Sequence, residues 1–77
     1  MNDYNKKVIY RFNKLLTKYD IAYLQSKLAK VEGIDSFEIF PKSIGIEYVT
    51  IKLTAESVKE VIRNLGYSII PKERKKS

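Results

Sequence analysis

Thr17 and Asp20 are the side chains whose types and spacing best suit a defined chemical task. They stand three residues apart, at the start of a run of apolar residues with helical spacing. In a capping box the hydroxyl accepts a backbone N–H of the first turn, and the carboxylate favours the positive end of the helix dipole. We therefore predict that this pair caps a helix. The alternative is a weak site for a hard cation on Asp20, helped by the phenol of Tyr19 or Tyr67, with too few ligands to compete with water.

The composition removes most catalytic chemistry. The 77 residues include no cysteine and no histidine, which are the commonest soft-metal ligands and the commonest general base. The chain also has no Gly-rich phosphate loop, and its carboxylates and lysines are scattered. We therefore expect no enzyme, no cofactor and no small-molecule substrate.

The hydropathy pattern favours a cytoplasmic location. No apolar run approaches the ~18 residues that a membrane span needs. The start, MNDYNKK, lacks the apolar region of a signal peptide. We expect any contact with a membrane to be indirect, through a partner or a downstream segment.

The net charge of +6 is concentrated at one end of the chain. Residues 72–77, KERKKS, contain four basic residues and one acidic residue, which sum to +3 and make up half of the excess. Such a segment is typical of a flexible tail or linker. We predict a single domain over 7–71, a frayed polar segment over 1–6, and a basic tail or linker over 72–77.

The first predicted helix is an amphipathic segment from Thr17 onward. Its apolar residues recur at i, i+3, i+7 and i+10, a spacing that places them on one stripe of a helix. These residues are Ile21, Leu24, Leu28 and Val31. Gly33 is predicted to end the segment, because glycine adopts the left-handed conformation without a steric penalty.

The second predicted helix begins after Thr54, which is a good N-cap residue. It ends before Gly66, and its apolar residues again follow helical spacing: Val58, Val61, Ile62 and Leu65.

Four segments are predicted to be strands because they combine alternating polarity with β-branched and aromatic residues. They are 7–13, 34–40, 44–51 and 67–70. The resulting order, βαββαβ, predicts an α+β ferredoxin-like sandwich in which two helices cover one face of a four-stranded antiparallel sheet. The predicted core is Tyr10, Phe12, Ile21, Leu24, Leu28, Phe37, Ile39, Ile46, Tyr48, Val58, Val61, Ile62 and Leu65.

Three segments carry a family resemblance: KLAKVEGI (27–34), IEY (46–48) and VKEVIRNLGYSI (58–69). Together they resemble the heavy-metal-associated domain, the module of small copper chaperones and of the N-terminal arms of heavy-metal P-type ATPases. The resemblance extends from about Val8 to Pro71, and the hairpin near Pro41 is about two residues shorter than in the family.

The departure from the family lies in the metal-binding motif. The family binds soft metals through Met-x-Cys-x-x-Cys, and the corresponding positions here are Leu15, Thr17 and Asp20. Cu(I) prefers sulfur, and neither a hydroxyl nor a lone carboxylate replaces a thiolate. The resemblance therefore implies a degenerate domain without soft-metal binding. It implies docking to another protein domain, such as a metal-transport ATPase or a chaperone, or regulation of metal transport. Both a free-standing protein and the N-terminal part of a pump stay open.

The first helix and its preceding loop touch the partner domain in that family. The resemblance thus implies docking candidates at Lys18, Tyr19, Tyr23, Lys27, Lys30 and Tyr67. Two plainer alternatives stay open. The lysines also suit a solvated helix face, and Tyr67 also suits packing over the helix start, since tyrosine is at home when half-buried.

A small basic nucleic-acid-binding module is the alternative function. RNA-recognition modules of this fold stack bases on aromatic residues of the first and third strands, on the open face of the sheet. Here the open face is expected to carry Ile9, Arg11, Gly45 and Glu47 on those strands, with Phe40 as its one aromatic residue. Glu38 beside Glu47 would repel phosphate. We therefore expect a protein partner rather than a nucleic acid.

Overall fold

The computed structural model describes residues 4–70, which form a four-stranded sheet and two helices. The elements are β1 (Asn5–Phe12), α1 (Lys18–Leu28), β2 (Ile34–Ile39), β3 (Ser43–Val49), α2 (Ala55–Asn64) and β4 (Ile69–Ile70). The strand order is β2-β3-β1-β4, and every neighbouring pair is antiparallel. The predicted ferredoxin-like α+β fold is confirmed.

The element boundaries differ from the prediction at several ends. β1 begins at Asn5, two residues earlier than predicted, so Asn5 and Lys6 are paired with β3 and are not frayed. β4 is limited to Ile69–Ile70 instead of the predicted 67–70. The predicted tail or linker over 72–77 lies outside the described residues.

α1 ends at Leu28, although the predicted apolar stripe continues to Val31 and the segment was predicted to end at Gly33. The N–H groups of Lys30 and Val31 donate to the carbonyls of Lys27 and Leu28, three residues back, at 3.2 and 3.1 Å. The chain therefore leaves the helix through tighter turns before it reaches Gly33. With 11 and 10 residues, α1 and α2 are too short to cross a bilayer, and residues 4–70 contain no other helix.

The core lies between the two helices and the sheet face that they cover. Its buried residues are Phe12, Leu16, Leu24, Leu28, Ile44, Ile46, Tyr48, Val58, Ile62 and Tyr67. Every residue of the predicted core is either buried or packed against this cluster, so the predicted helix and strand faces are confirmed. Leu16 is an additional core residue from the loop between β1 and α1, where its N–H donates to the carbonyl of Pro41 at 2.7 Å.

Candidate functional site

Thr17 and Asp20 form the predicted cap at the start of α1. Thr17 is the extended N-cap residue, and its hydroxyl accepts the backbone N–H of Asp20 at 3.1 Å. In return, Asp20 Oδ2 accepts the backbone N–H of Thr17 at 2.9 Å. Both bonds of a capping box are present, so the cap is confirmed, and two backbone donors that a helix start leaves without helical partners are satisfied.

Tyr67, which follows α2, contacts the start of α1. Its hydroxyl donates to Asp20 Oδ1 at 2.9 Å. Its ring meets the ring of Phe12 edge-on, with centroids 5.8 Å apart, and the residue is only 8 % exposed. The packing alternative therefore fits Tyr67, whose ring and hydroxyl are both engaged over the helix start.

These hydrogen bonds shift the acidity of both partners. The pKa of Asp20 is lowered to about 2, first by the Thr17 backbone N–H and then by the Tyr67 hydroxyl. The pKa of Tyr67 is raised to about 12, first by burial and then by its bond to Asp20. Hydrogen bonds stabilise the charged form of Asp20, whereas burial disfavours the charged form of Tyr67 and the bond to Asp20 adds to that effect. At neutral pH, Asp20 is an anion that accepts from a neutral Tyr67.

The helix start does not fit a metal ion. Asp20 Oδ2 accepts from Thr17 and lies 3.5 Å from Lys14 Nζ, while Oδ1 accepts from Tyr67. A cation at this carboxylate would displace those partners and would gain few other ligands. Over residues 4–70 there is no group of three or more acidic, histidine or cysteine side chains that would hold a metal ion. Neither Thr17 nor Asp20 supplies the sulfur that Cu(I) prefers.

The exposed docking candidates extend along α1 and just beyond its end, and we call the following set the helix 1 patch: Lys18, Tyr19, Tyr23, Lys27 and Lys30. Tyr19 is 76 % exposed and Tyr23 is 41 % exposed. The ammonium of Lys18 lies 6.0 Å from the centre of the Tyr19 ring, and that of Lys27 lies 5.7 Å from the centre of the Tyr23 ring. These distances suit cation–π contacts, so each tyrosine of the patch has a lysine ammonium beside its ring.

Lys30 and Leu15 lie outside α1, at its two ends. Lys30 is exposed and lies two residues beyond the last residue of α1, next to the helical part of the patch. Leu15 is 64 % exposed in the loop before α1, and the sequence analysis did not identify it as an exposed apolar residue beside the helix start. In the sequence, the only indication of this exposure is that Leu15 is an apolar residue next to another leucine in a segment without periodicity.

The open face of the sheet offers little to nucleic acid. Tyr10, Phe12 and Tyr48 belong to the core or pack against it, on the side of the helices. Phe40 is 48 % exposed, but it follows the end of β2 and stands outside the two central strands. The carboxylate of Glu38 lies 4.0 Å from the ammonium of Lys7. The central strands therefore present no aromatic platform for stacked bases within the described chain.

Comparison with models of known protein families gave no match to this chain, and comparison with curated proteins gave none either.

Proposed function

We propose that this chain is a degenerate heavy-metal-associated-type domain that docks to another protein domain and carries no soft metal itself. A metal-transport ATPase or a metal chaperone is the proposed partner. The observation that carries the proposal is the hydrogen-bonded network of Thr17, Asp20 and Tyr67. It occupies the positions at which the family resemblance would put the metal loop. A domain without thiolates satisfies its helix start with side chains instead.

The helix 1 patch supplies the docking surface. Its three lysines attract an acidic partner and orient it during encounter. Its two tyrosines offer an apolar ring together with a hydroxyl, a combination that is enriched at protein interfaces. We therefore expect a partner with an acidic surface that covers Tyr19 and Tyr23.

A two-cysteine variant tests the family relation. In Thr17→Cys with Asp20→Cys, both thiols would stand at the helix start, where the dipole lowers the pKa of a thiol. We expect this variant to take one Cu(I) from a chelating indicator and the unmodified chain to take none. Loss of the cap should cost about 1 kcal/mol in the absence of metal.

The matched control places the same pair on α1 and just beyond it, as Lys27→Cys with Lys30→Cys. These positions have the same spacing but no relation to the helix start. Equal Cu(I) affinities in the variant and the control would count against an inherited metal-site geometry. Submicromolar Cu(I) binding by the unmodified chain would contradict the loss of metal binding.

Site-specific crosslinking tests docking through the helix 1 patch. A photo-crosslinking amino acid in place of Tyr19 should capture a partner in the protein's own cell. The same group in place of Ile51, which is 70 % exposed in the turn before α2, should not. Lys27→Glu with Lys30→Glu should reduce the product at position 19. Docking through this patch would be contradicted by equal amounts of crosslinked partner at positions 19 and 51. It would also be contradicted if the charge reversal left the product at position 19 unchanged.

A further inference from the structure

One end of the molecule carries two exposed apolar side chains on neighbouring loops. Leu15, in the loop between β1 and α1, is 64 % exposed, and Phe40, in the turn between β2 and β3, is 48 % exposed. The two loops are hydrogen-bonded to each other, because the N–H of Leu16 donates to the carbonyl of Pro41 at 2.7 Å. Leu15 and Phe40 are therefore each one residue away from the bond that joins their loops.

Tyr19 adds an exposed aromatic ring to the same end. It lies in the first turn of α1, directly after the loop that carries Leu15, and its side chain is 76 % exposed. We call Leu15, Tyr19 and Phe40 the apolar end. It combines an aliphatic side chain, an apolar ring and a ring with a hydroxyl.

The charges around the apolar end are positive. Segments 13–19 and 40–43 contain no acidic residue and three exposed lysines, which are Lys14, Lys18 and Lys42. Lys14 lies 3.5 Å from the carboxylate of Asp20, which also accepts from Tyr67. The charges of Lys18 and Lys42 therefore favour an anionic partner at this end.

The turn that carries Phe40 already has partners for several of its backbone groups. The N–H of Phe40 donates to the carbonyl of Ser43 at 2.8 Å, and the carbonyl of Lys42 accepts the N–H of Phe12 at 2.8 Å. Pro41 has no N–H, and its carbonyl accepts from the other loop. An unpaired backbone group is costly in an apolar medium. Because these groups are paired, the turn can approach such a medium at a lower cost.

We propose that the apolar end binds directly to the surface of an anionic lipid bilayer. Leu15 and Phe40 enter the boundary between headgroups and acyl chains, and Tyr19 lies at the level of the headgroups, where tyrosine is enriched. The ammonium groups of Lys18 and Lys42 attract the anionic headgroups. The hydropathy pattern does not reveal such a contact, because it detects spanning segments and not single side chains on separate loops.

Two other occupants suit the apolar end less well. A second copy of the chain would bring Lys18 and Lys42 of both copies to one interface, and like charges that face one another across an interface are unfavourable. An acidic protein would need pockets placed to receive exposed side chains from two separate loops. A fluid bilayer adapts to them and supplies the negative charge as well.

Vesicle binding by the full 77-residue chain tests the proposal. The probe is vesicles of phosphatidylcholine mixed with phosphatidylserine, and the control is vesicles of phosphatidylcholine alone. We expect the anionic vesicles to bind about tenfold more tightly in a co-sedimentation assay, and less tightly as salt is added. No binding to anionic vesicles, or equal binding to both kinds, would overturn the proposal.

A double substitution tests the apolar side chains. Leu15→Ser with Phe40→Ser should weaken binding to the anionic vesicles about tenfold, because two apolar contacts with lipid are lost. Ile51→Ser is the control: Ile51 is 70 % exposed near the opposite end of β3. Its substitution should leave binding unchanged. Equal binding by the double variant and the unmodified chain would mean that basic charge alone attracts the vesicles, and would overturn the proposal.

Two charge reversals of equal size locate the electrostatic contact. Lys18→Glu with Lys42→Glu should weaken vesicle binding about tenfold, because both lysines adjoin the apolar end. Lys27→Glu with Lys30→Glu changes the net charge equally at the far end of the helix 1 patch, so it should have a smaller effect. Equal losses in the two variants would contradict binding through the apolar end.

A fluorophore reports the contact without removing any proposed lipid-binding side chain. The chain contains no cysteine, so Pro41→Cys and Ile51→Cys each provide one site for an environment-sensitive dye. Anionic vesicles should shift the emission of the dye to the blue at position 41 and not at position 51. Equal shifts, or none at position 41, would overturn the proposal.

Two further outcomes separate the bilayer from a protein at this end. A dimer that forms without vesicles and dissociates in Leu15→Ser with Phe40→Ser would overturn the proposal, because a second copy would be the occupant. A crosslinked protein at position 19 without any vesicle binding would contradict the bilayer proposal alone. Vesicle binding through the apolar end without a crosslinked protein would support it and contradict only the proposed protein docking.

Discussion

Asp20 links three separate parts of the chain through one carboxylate. Its Oδ2 accepts from Thr17 at the start of α1 and lies near the ammonium of Lys14 in the preceding loop. Its Oδ1 accepts from Tyr67, which is 47 residues away and follows α2. The ionisation of this single side chain therefore affects both a helix cap and the packing of Tyr67 over it.

The loss of folding stability at acid pH should depend on Asp20. Its folded-state pKa of about 2 lies below the ordinary value of 3.8, so its contribution is present above pH 4 and is lost as the pH falls toward 2. We expect Asp20→Asn to unfold at lower urea than the unmodified chain at neutral pH, and to converge toward it near pH 2. Glu60→Gln, which removes an exposed carboxylate of α2, is the control. Parallel pH curves for Asp20→Asn and the unmodified chain would contradict the assigned shift.

The loss of folding stability at alkaline pH should depend on Tyr67. Its folded-state pKa of about 12 lies above the ordinary value of 10, so its contribution is present below pH 10 and is lost as the pH rises through 12. Tyrosinate absorbance should therefore show a phenol that ionises near pH 12, and Tyr67→Phe should remove it. The free energy of unfolding should fall by about 1–2 kcal/mol, since a hydrogen bond to a charged group is lost. If Tyr10→Phe removed the late ionisation instead, the assignment to Tyr67 would be wrong.

At the scale of elements, two glycines follow the two helices with positive φ. Gly33 has φ of +105° and Gly66 has φ of +101°, and both values disfavour a side chain. Their surroundings differ. A Cβ on Gly33 would lie 2.8 Å from Cγ of Leu53, whereas a Cβ on Gly66 would have no neighbour within 4 Å. Gly33 therefore has both a conformational and a packing reason to be glycine.

This difference predicts unequal costs for the same substitution. Gly66→Ala should lower the free energy of unfolding by roughly 1–2 kcal/mol, the cost of a left-handed conformation with a Cβ. Gly33→Ala should cost more, because Leu53 must also shift. Urea unfolding of the two variants measures the difference directly. Equal costs would show that Leu53 accommodates the methyl group without strain.

The apolar stripe of α1 predicts a second stability effect. Leu28 is 1 % exposed and packs in the middle of the core. Leu28→Ala should cost about 2–4 kcal/mol, through lost burial and the cavity that remains. Gln25→Ala on the exposed side of the same helix is the control, and its effect should stay within about 0.5 kcal/mol. An unchanged midpoint for Leu28→Ala would mean that the helix faces are assigned wrongly.

At the scale of the molecule, the proposed docking surface is confined to one element and the turn after it. The helix 1 patch belongs to α1 and to Lys30, which lies just beyond that helix. The patch is basic and would favour an acidic partner. Salt should weaken binding there, because exposed charges are screened over about 8 Å at physiological ionic strength.

The sequence by itself determined the order βαββαβ, the faces of both helices and the cap at Thr17 and Asp20. These features depend on interactions within a few residues, namely helical or strand periodicity and side chains that reach the nearby backbone. Helix and strand ends were less predictable. α1 stops at Leu28 although the apolar spacing continues to Val31, because periodicity does not specify where a tighter turn replaces the helix.

Only the tertiary structure decided which distant groups meet. Leu16 is buried in a loop whose backbone is hydrogen-bonded to Pro41, and the sequence of that loop has no periodicity that predicts this burial. Tyr67 reaches Asp20 because α2 returns the chain to the start of α1. β1 pairs with β3 on one side and with β4 on the other because strand pairing is non-local, and a run of alternating residues does not reveal its partner strands.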